Sequence, residues 1–320
     1  MKHFIVEEKN HKARLDKFLV EKLQKTRSQI QKMITSEQIL VNNKKAKVHQ
    51  FLSIKDKVSI EDKEKVTSNQ QPVTSKRKKI LKKMIPKVIK KTKDYLIIEK
   101  PSGLLVHATS KDETDTLVNW LVEKYPEVKK IADVESLKKR DKIFRPGIVH
   151  RLDREVSGLM LIALNQDAYD YYKQQFQKRI VKKEYTALVF GHLPQPKDLI
   201  EFEIGRRAGG GRMAAHPKGS GLGKYAQTEY TVVREFQKCS LVTINLHTGR
   251  TNQIRVHFFA LKNPIVGDSL YKLKQFKPKF SASRILLHAN KLEFIDRTGA
   301  TQTLESELPP AFDETIKQLK

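Results

Sequence analysis

The 320-residue sequence predicts an α+β fold in two parts: a small α/β module over residues 12–61 and a mixed, mostly β domain with flanking helices over residues 91–320. Three observations carry this. Apolar residues near the start recur at helical spacing. A polar, Lys-rich stretch over residues 62–90 then interrupts every apolar period and reads as a flexible basic linker. From about residue 94, short apolar runs alternate with turn residues, the signature of a strand-rich domain.

In the first part, Leu15, Phe18, Leu19 and Leu23 follow i, i+3, i+4, i+8 spacing, and Ile30, Met33 and Ile34 repeat the pattern, giving two short amphipathic helices. Ile39, Leu40 and Val41, the turn Asn42-Asn43-Lys44, and the later Val48 and Val58-Ser59-Ile60 give small strands after them. Arg14, Arg27, Lys32, Lys44, Lys45 and Lys47 are left for the outer face, where phosphate contacts are the expected use. In the second part, strands are expected at 96–98, 104–106, 159–164, 185–189, 241–246 and 285–287, with helices at 117–125, 167–176 and 251–261. Residues 125–143 and 205–224 read as insertions. The second holds seven of the 14 glycines but no phosphate-loop frame, so it is expected to be a basic hairpin, either plain or closing on a ligand.

Lys and Arg total 63 against 36 Asp and Glu, a formal charge of +27. Such an excess points to a polyanionic partner, RNA or DNA, or else to the lysine bias of an AT-rich genome. The single Cys239 excludes an intramolecular disulfide and a cysteine-based metal site, and it reads as a strand-packing residue. The first residues lack the apolar core of a signal peptide, and no run of about 18 apolar residues occurs anywhere. The expectation is a soluble, cytoplasmic monomer with no membrane contact.

The most informative segment is Pro146-Gly147-Ile148-Val149-His150-Arg151-Leu152-Asp153-Arg154-Glu155-Val156-Ser157-Gly158. It sets Asp153 between two guanidinium groups, which are expected to lower its pKa and keep an anion poised in a rigid loop. An Arg-Leu-Asp-Arg run alone is more often a surface ion-pair cluster. The longer string, however, resembles the catalytic motif of the RluA-type pseudouridine synthases. Four further segments match that family in order: Glu99-Lys100-Pro101-Ser102-Gly103-Leu104-Leu105-Val106-His107; Lys183-Glu184-Tyr185-Thr186-Ala187-Leu188-Val189-Phe190-Gly191; Thr248-Gly249-Arg250-Thr251-Asn252-Gln253-Ile254-Arg255-Val256-His257, followed by Asn263-Pro264-Ile265-Val266-Gly267-Asp268; and Leu286-Leu287-His288-Ala289. Arg14-Leu15-Asp16-Lys17-Phe18-Leu19, Arg27-Ser28-Gln29-Ile30 and Ile39-Leu40-Val41-Asn42 resemble the S-four-type RNA-binding module. They depart from it where glycine is usual, at Glu37 or Gln38 and at Asn43.

The resemblance implies a long central antiparallel sheet crossed by a cleft, and an isomerase that converts uridines of RNA to pseudouridine. Large-subunit rRNA is the favoured substrate and tRNA the alternative. The reaction breaks the ribose–uracil nitrogen bond and rejoins the base through carbon, so no cofactor and no metal are expected. By the same resemblance Asp153 is the nucleophile, acting on sugar or base. Arg255 is its basic partner, expected to orient it through parallel hydrogen bonds, and Tyr185 is the active-site tyrosine, a stacking surface and candidate proton acceptor. Ile254 would form an apolar floor under the uracil, and Arg250 would contact the substrate. Arg151 and His150 would shape the loop, with Arg151 helping to extrude the base and His150 chiefly structural. His107, His257 and His288 lack metal-ligand spacing and are left as polar core or RNA contacts. The family commonly has threonine at Val156 and histidine at Asn252. Two rival readings are a noncatalytic RNA-binding ribosome-assembly factor, which has no need of the three catalytic residues together, and a carboxylate glycosidase or phosphotransferase. For the latter no second carboxylate or metal site is evident.

Overall fold

The computed structural model describes the chain except residues 1, 25–26, 37, 48–49, 61–83, 109–112, 114, 132–144, 208–210, 277–279 and 320. It divides into two compact units, Met1–Lys79 and Ile80–Lys320.

The first unit contains β1 (Lys2–Ile5), α1 (Leu15–Leu23), α2 (Arg27–Thr35), β2 (Ile39–Val41), β3 (Lys44–Lys45) and β4 (Lys57–Ile60), with an antiparallel sheet in the order β1-β4-β2-β3. The helical spacing does what it promised: Leu15, Phe18, Leu19, Ile30 and Ile34 are buried against Ile39 and Val58. Asn42 and Asn43 carry the β2–β3 turn at φ +52° and +60°, so asparagine replaces the usual glycine at little cost. β1 was not expected. It pairs with β4 and extends the unit ahead of residue 12, and the only signal for it was the short alternation of Phe4 with His3 and Ile5. The strand expected at Val48 and most of the expected linker lie outside the described residues.

The second unit contains β5 (Lys87–Lys91), β6 (Tyr95–Lys100), α3 (Leu117–Lys124), β7 (Ser157–Ala163), α4 (Gln166–Gln177), β8 (Lys182–Phe190), β9 (Lys197–Arg206), β10 (Met213–His216), β11 (Lys224–Phe236), β12 (Cys239–Leu246), α5 (Gln253–Ala260), β13 (Leu287–Ile295), β14 (Thr301–Glu305) and α6 (Pro310–Ile316). Ten strands form one sheet in the order β10-β9-β11-β12-β8-β13-β7-β6-β5, with β14 on β13. All pairs are antiparallel except β13 with β7.

Three expectations are corrected. Residues 87–90, expected in the linker, belong with Lys91 to the edge strand β5, paired with β6. Leu104, Leu105 and Val106 form a loop with one isolated bridge, Leu105 to Thr116. Their apolar run fills the core from a turn rather than from a strand. The late strand begins at Leu287 instead of Ile285.

β7 is buried along its whole length, which explains its unbroken apolar run. α4 starts at the Asn165 cap, whose Oδ1 accepts from Ala168 N at 2.9 Å. It lays Tyr172 edge-on against Tyr95 and Phe294, with centroids 5.9 and 5.6 Å away. The loop that enters β7 is fixed at both ends by glycine. Gly147 (φ +69°) lies where a Cβ would stand 2.3 Å from the Ala163 carbonyl oxygen, and Gly158 (φ +128°) where it would stand 2.3 Å from the Ala289 carbonyl oxygen. Both close approaches exclude a side chain. Gly158→Ala is therefore expected to destabilise the second unit by about 3 kcal/mol, read as a fall in the midpoint of chemical denaturation.

Candidate active site

The loop 149–156 hangs between its bridge to β7 (Ile148 to Ile162) and the start of β7. A turn in which Val156 N donates to the Asp153 carbonyl at 3.2 Å presents the Asp153 side chain. The Glu99–His107 segment locks this turn from below. Gly103 N donates to the Arg154 carbonyl at 2.7 Å, Arg154 Nε donates to the Gly103 carbonyl at 3.1 Å, and Ser102 Oγ bonds the Glu155 carbonyl. Lys100, at the end of β6 and fully buried, donates to the carbonyls of Pro101 (2.9 Å), Leu104 (2.8 Å) and Arg154 (3.1 Å). On the β7 side, Ser157 Oγ meets Arg284 Nη2 at 2.7 Å and His288 Nδ1 at 2.6 Å.

Burial lowers the Lys100 pKa to about 7, with Arg284 adding to the effect and Asp153 and Glu155 opposing it. The unfolded chain then binds more protons than the folded one between about pH 7 and the ordinary lysine range. This group's contribution to stability rises with pH across that window and is lost as pH falls through 7. Wild type minus Lys100→Met, compared by denaturation at pH 6.5 and pH 9, is expected to show that slope. A flat difference would remove Lys100 as the buried support of the loop.

The helix α5 supplies the opposite wall. Gln253 docks its N-terminus on β11, donating to Gln227 O (3.0 Å) and Thr228 Oγ1 (2.8 Å) and accepting from Thr248 Oγ1 (2.8 Å) and Arg250 N (2.9 Å). Arg255 then faces three carboxylates. Its Nε and Nη2 form the two parallel bonds, but to Asp268 (2.7 and 2.9 Å), while Nη1 stands 3.3 Å from Glu155 and 3.6 Å from Asp153. The expected two-bond grip of Arg255 on Asp153 is thus corrected. The fork is spent on Asp268, and Asp153 receives one longer charge contact.

The sign of the Asp153 shift is corrected as well. Burial raises its pKa, and the opposing pull of Arg255 and Arg151 does not cancel it. Arg154, counted in sequence as a second neighbouring cation, points to Gly103 instead. Tyr185, 5% exposed on β8, has its pKa pushed upward by burial and by the Asp153 charge. It is a neutral phenol at physiological pH, suited to stacking and hydrogen bonding more than to accepting a proton.

Asp153, Tyr185 and Arg255 share one cleft of about 790 Å³, lined also by His150, Arg151, Arg179, Lys183, Arg250 and Ile254. Ile254, expected as an apolar floor, is 5% exposed and lines this cleft. His150 is held within the fold: its Nε2 accepts from Leu161 N at 2.9 Å, its ring stacks on Phe176, and burial lowers its pKa to about 3. Arg151 is exposed, 3.3 Å from His107, and Arg250 ties its Nε to the Tyr225 carbonyl at 2.9 Å. Lys183 was quoted in sequence only as a flank. It extends over the Phe176 ring at 5.6 Å, its pKa lowered to about 8 by burial. His107, His257 and His288 are all buried, and no metal-binding cluster occurs among the described residues.

In the first unit, Lys44 and Lys45 are exposed. Arg14 is not the outward cation expected. Its Nε and Nη2 bind the buried Asp16 at 3.1 and 2.9 Å. The side chains of Arg27 and Lys32 lie outside what the structure describes.

Sheet, cleft and charged centre are those of an enzyme that works on RNA, and the comparisons agree. The RNA pseudouridylate synthase model matches residues 94–260, and the S4 domain model matches residues 13–58. The chain belongs to the RNA pseudouridine synthase family, with an S4 domain ahead of the enzyme. It is 35% identical over 241 residues to an uncharacterized RNA pseudouridine synthase of Aquifex aeolicus, covering 73% of this chain and 72% of the relative. It is 30% identical over 286 residues to ribosomal large subunit pseudouridine synthase D of Escherichia coli, covering 88% and 79%. The fold is shared with human RNA pseudouridylate synthase domain containing 4, at TM-score 0.57 and 23% identity over 73% of this chain and 92% of that one. Among the described residues no helix is long and apolar enough to cross a membrane.

Proposed function

We propose that this enzyme isomerises uridines of large-subunit rRNA to pseudouridine, with Asp153 as its nucleophile. The observation that carries the reading is the Asp153 carboxylate in a cation-lined cleft beside Tyr185, Ile254 and Arg255. The glycosidic bond breaks, the uracil turns, and a carbon–carbon bond to the ribose forms. The hydrogen lost at that carbon is made up at nitrogen, so the product is an isomer of the substrate. A target uridine reaches Asp153 only when extruded from its stack, at a cost of a few kcal/mol. Arg151 at the rim and the apolar face of Ile254 offset that cost by holding the flipped nucleotide. Among the described residues that line the cleft the other acid is Glu229, whose carboxylate is paired with Lys197 at 2.8 Å, which lessens its repulsion of phosphates.

The large-subunit substrate is supported by the names of relatives such as the Escherichia coli enzyme and by the S4 domain ahead of the catalytic unit. The test is incubation of the full chain with large-subunit rRNA and with tRNA transcripts, followed by nucleoside analysis. Pseudouridine in rRNA alone is the expected result. Product in tRNA alone overturns the substrate, and product in neither overturns the activity.

A further inference from the structure

Lys183 is a cation of the cleft for which the chemistry at Asp153 has no use. It stands on β8 two residues before Tyr185, so the two side chains leave the same face of the strand about 7 Å apart and line the same cleft. The half-buried ammonium lies 5.6 Å from the centre of the Phe176 ring, and 4.0 Å from where a Gly249 Cβ would stand on the loop after β12. The face of Gly249 turned toward it is otherwise open.

An ammonium drawn out of water is ordinarily paired with an anion, because the charge is costly to desolvate alone. Among the described residues Lys183 has no such partner. Glu184, next in sequence, accepts from Asn290 Nδ2 at 2.9 Å, and Glu293, on the neighbouring strand β13, binds Lys182 at 2.6 Å. Glu229 is taken by Lys197. Burial lowers the Lys183 pKa to about 8 with no anion opposing it. The ring of Phe176 is the one attractive surface left to the charge, and a weak one.

We propose that the Lys183 ammonium and the open backbone at Gly249 form a phosphate site, in which the missing counterion is a backbone phosphate of the RNA that enters the cleft. An ammonium is a point charge without the fork of a guanidinium, and it suits a phosphate oxygen. Arg179 and Arg250 line the same cleft, so the surrounding field also favours an anion. A nucleotide whose sugar lies at Asp153 and Tyr185 has its own phosphate one ribose away, which is the spacing from Tyr185 to Lys183 along β8. Phosphate contacts fix position and carry no base information. Lys183 therefore holds the nucleotide by its backbone and leaves the choice of base to the inner wall. The inference deepens, and rests on, the reading of the cleft as the place where RNA uridines are isomerised.

The experiment measures binding of the full chain to large-subunit rRNA transcript over a series of salt concentrations, with melting curves and nucleoside analysis beside it. Lys183→Met keeps the aliphatic packing on Phe176 and removes the charge. It is expected to weaken binding about tenfold and to make the slope of log affinity against log salt shallower by about 1. It should melt at or above the wild-type temperature at pH 7, because an unpaired charge has left the wall. Lys183→Arg restores the slope. Gly249→Asp, at a backbone outside the left-handed region, supplies a counterion within the protein and weakens binding at least as much as Lys183→Met. Lys182→Met, whose charge is already paired with Glu293, keeps the wild-type slope.

A wild-type slope in Lys183→Met, a slope that arginine does not restore, wild-type binding in Gly249→Asp, or an equal change in Lys182→Met overturns the site. A lysine that only packs on Phe176 would lower the melting temperature on substitution and leave the slope alone. These are readouts of binding, so they separate from turnover. The expected slopes with no pseudouridine from wild type keep the phosphate site and remove the proposed activity, whereas product beside unchanged slopes does the reverse.

Discussion

Asp153→Asn is expected to abolish pseudouridine formation, by about 10⁴-fold or more, while RNA binding stays near wild type and the protein becomes more stable at neutral pH. The last part follows from the sign of the Asp153 shift. Burial raises its pKa above the ordinary carboxylate range, so the anion is held in the fold against its own preference, and a neutral side chain of the same shape relieves that cost. Arg255 does not lose its anchor, because its two parallel bonds go to Asp268. The other Arg-Leu-Asp triplet is the control. Asp16 is fully buried and gripped by Arg14, so Asp16→Asn is expected to weaken the S4 domain and RNA affinity, with single-turnover chemistry at saturating RNA retained. Nucleoside analysis, RNA titration and thermal melts of the three proteins give the answer. Product without Asp153 would end its role as nucleophile, and a melting temperature below wild type would contradict the raised pKa.

The site was legible in sequence where residue identity alone decides it. The runs around Asp153, Tyr185 and Arg255, joined in sequence by the family resemblance, line one cleft although about 100 residues separate the first from the last. What was illegible depends on partners distant in the chain. Charge counting along the sequence gave Asp153 two cationic neighbours and a lowered pKa, but the fold turns Arg154 away and adds burial, which neighbouring residues do not reveal. Lys100 was visible as part of a motif, yet its task depends on the carbonyl of Arg154, 54 residues on.

Among the strands missed besides β1 and β5, β9 to β11 and β14 have an equally physical reason. Along β11 only Ala226, Thr228 and Tyr230 are buried, small or polar residues whose alternation has little hydropathy contrast. The run 104–106 errs the other way, being apolar enough for a strand while Leu104 and Val106 are buried from a loop with one isolated bridge. Val156 shows a departure that the fold absorbs. Its side chain is 2% exposed, and the turn bond that matters comes from its backbone nitrogen.

Asp268 is the residue on which the placing of Arg255 beside Asp153 depends without any sign of it in spacing, and Asp268→Ala is expected to be the most damaging change to stability in the site. Its side chain is fully buried and does four things. It takes both bonds of the Arg255 fork, and its Oδ1 also accepts from Leu270 N at 2.8 Å and Tyr271 N at 2.9 Å. Removing one partner of a buried ion pair costs about 3–5 kcal/mol, because the remaining charge has been taken from water without compensation. The nearest relief for Arg255 is to close on Glu155 and Asp153, now 3.3 and 3.6 Å away, which would draw the Asp153 carboxylate out of its place. Displacement of a reacting group by about 1 Å costs about 10²-fold in rate, so turnover at a temperature where the variant is folded is expected to fall by that factor. Asp268→Asn separates the two effects. Its oxygen can still serve Leu270, Tyr271 and one arginine nitrogen, but its amide nitrogen confronts Arg255 Nε donor to donor. Stability should fall less than in the alanine variant while turnover stays low. If both variants melt with wild type, the Arg255–Asp268 pair is not what fixes this wall of the cleft, and the longer contact to Asp153 must be sustained by the docking of α5 through Gln253 alone.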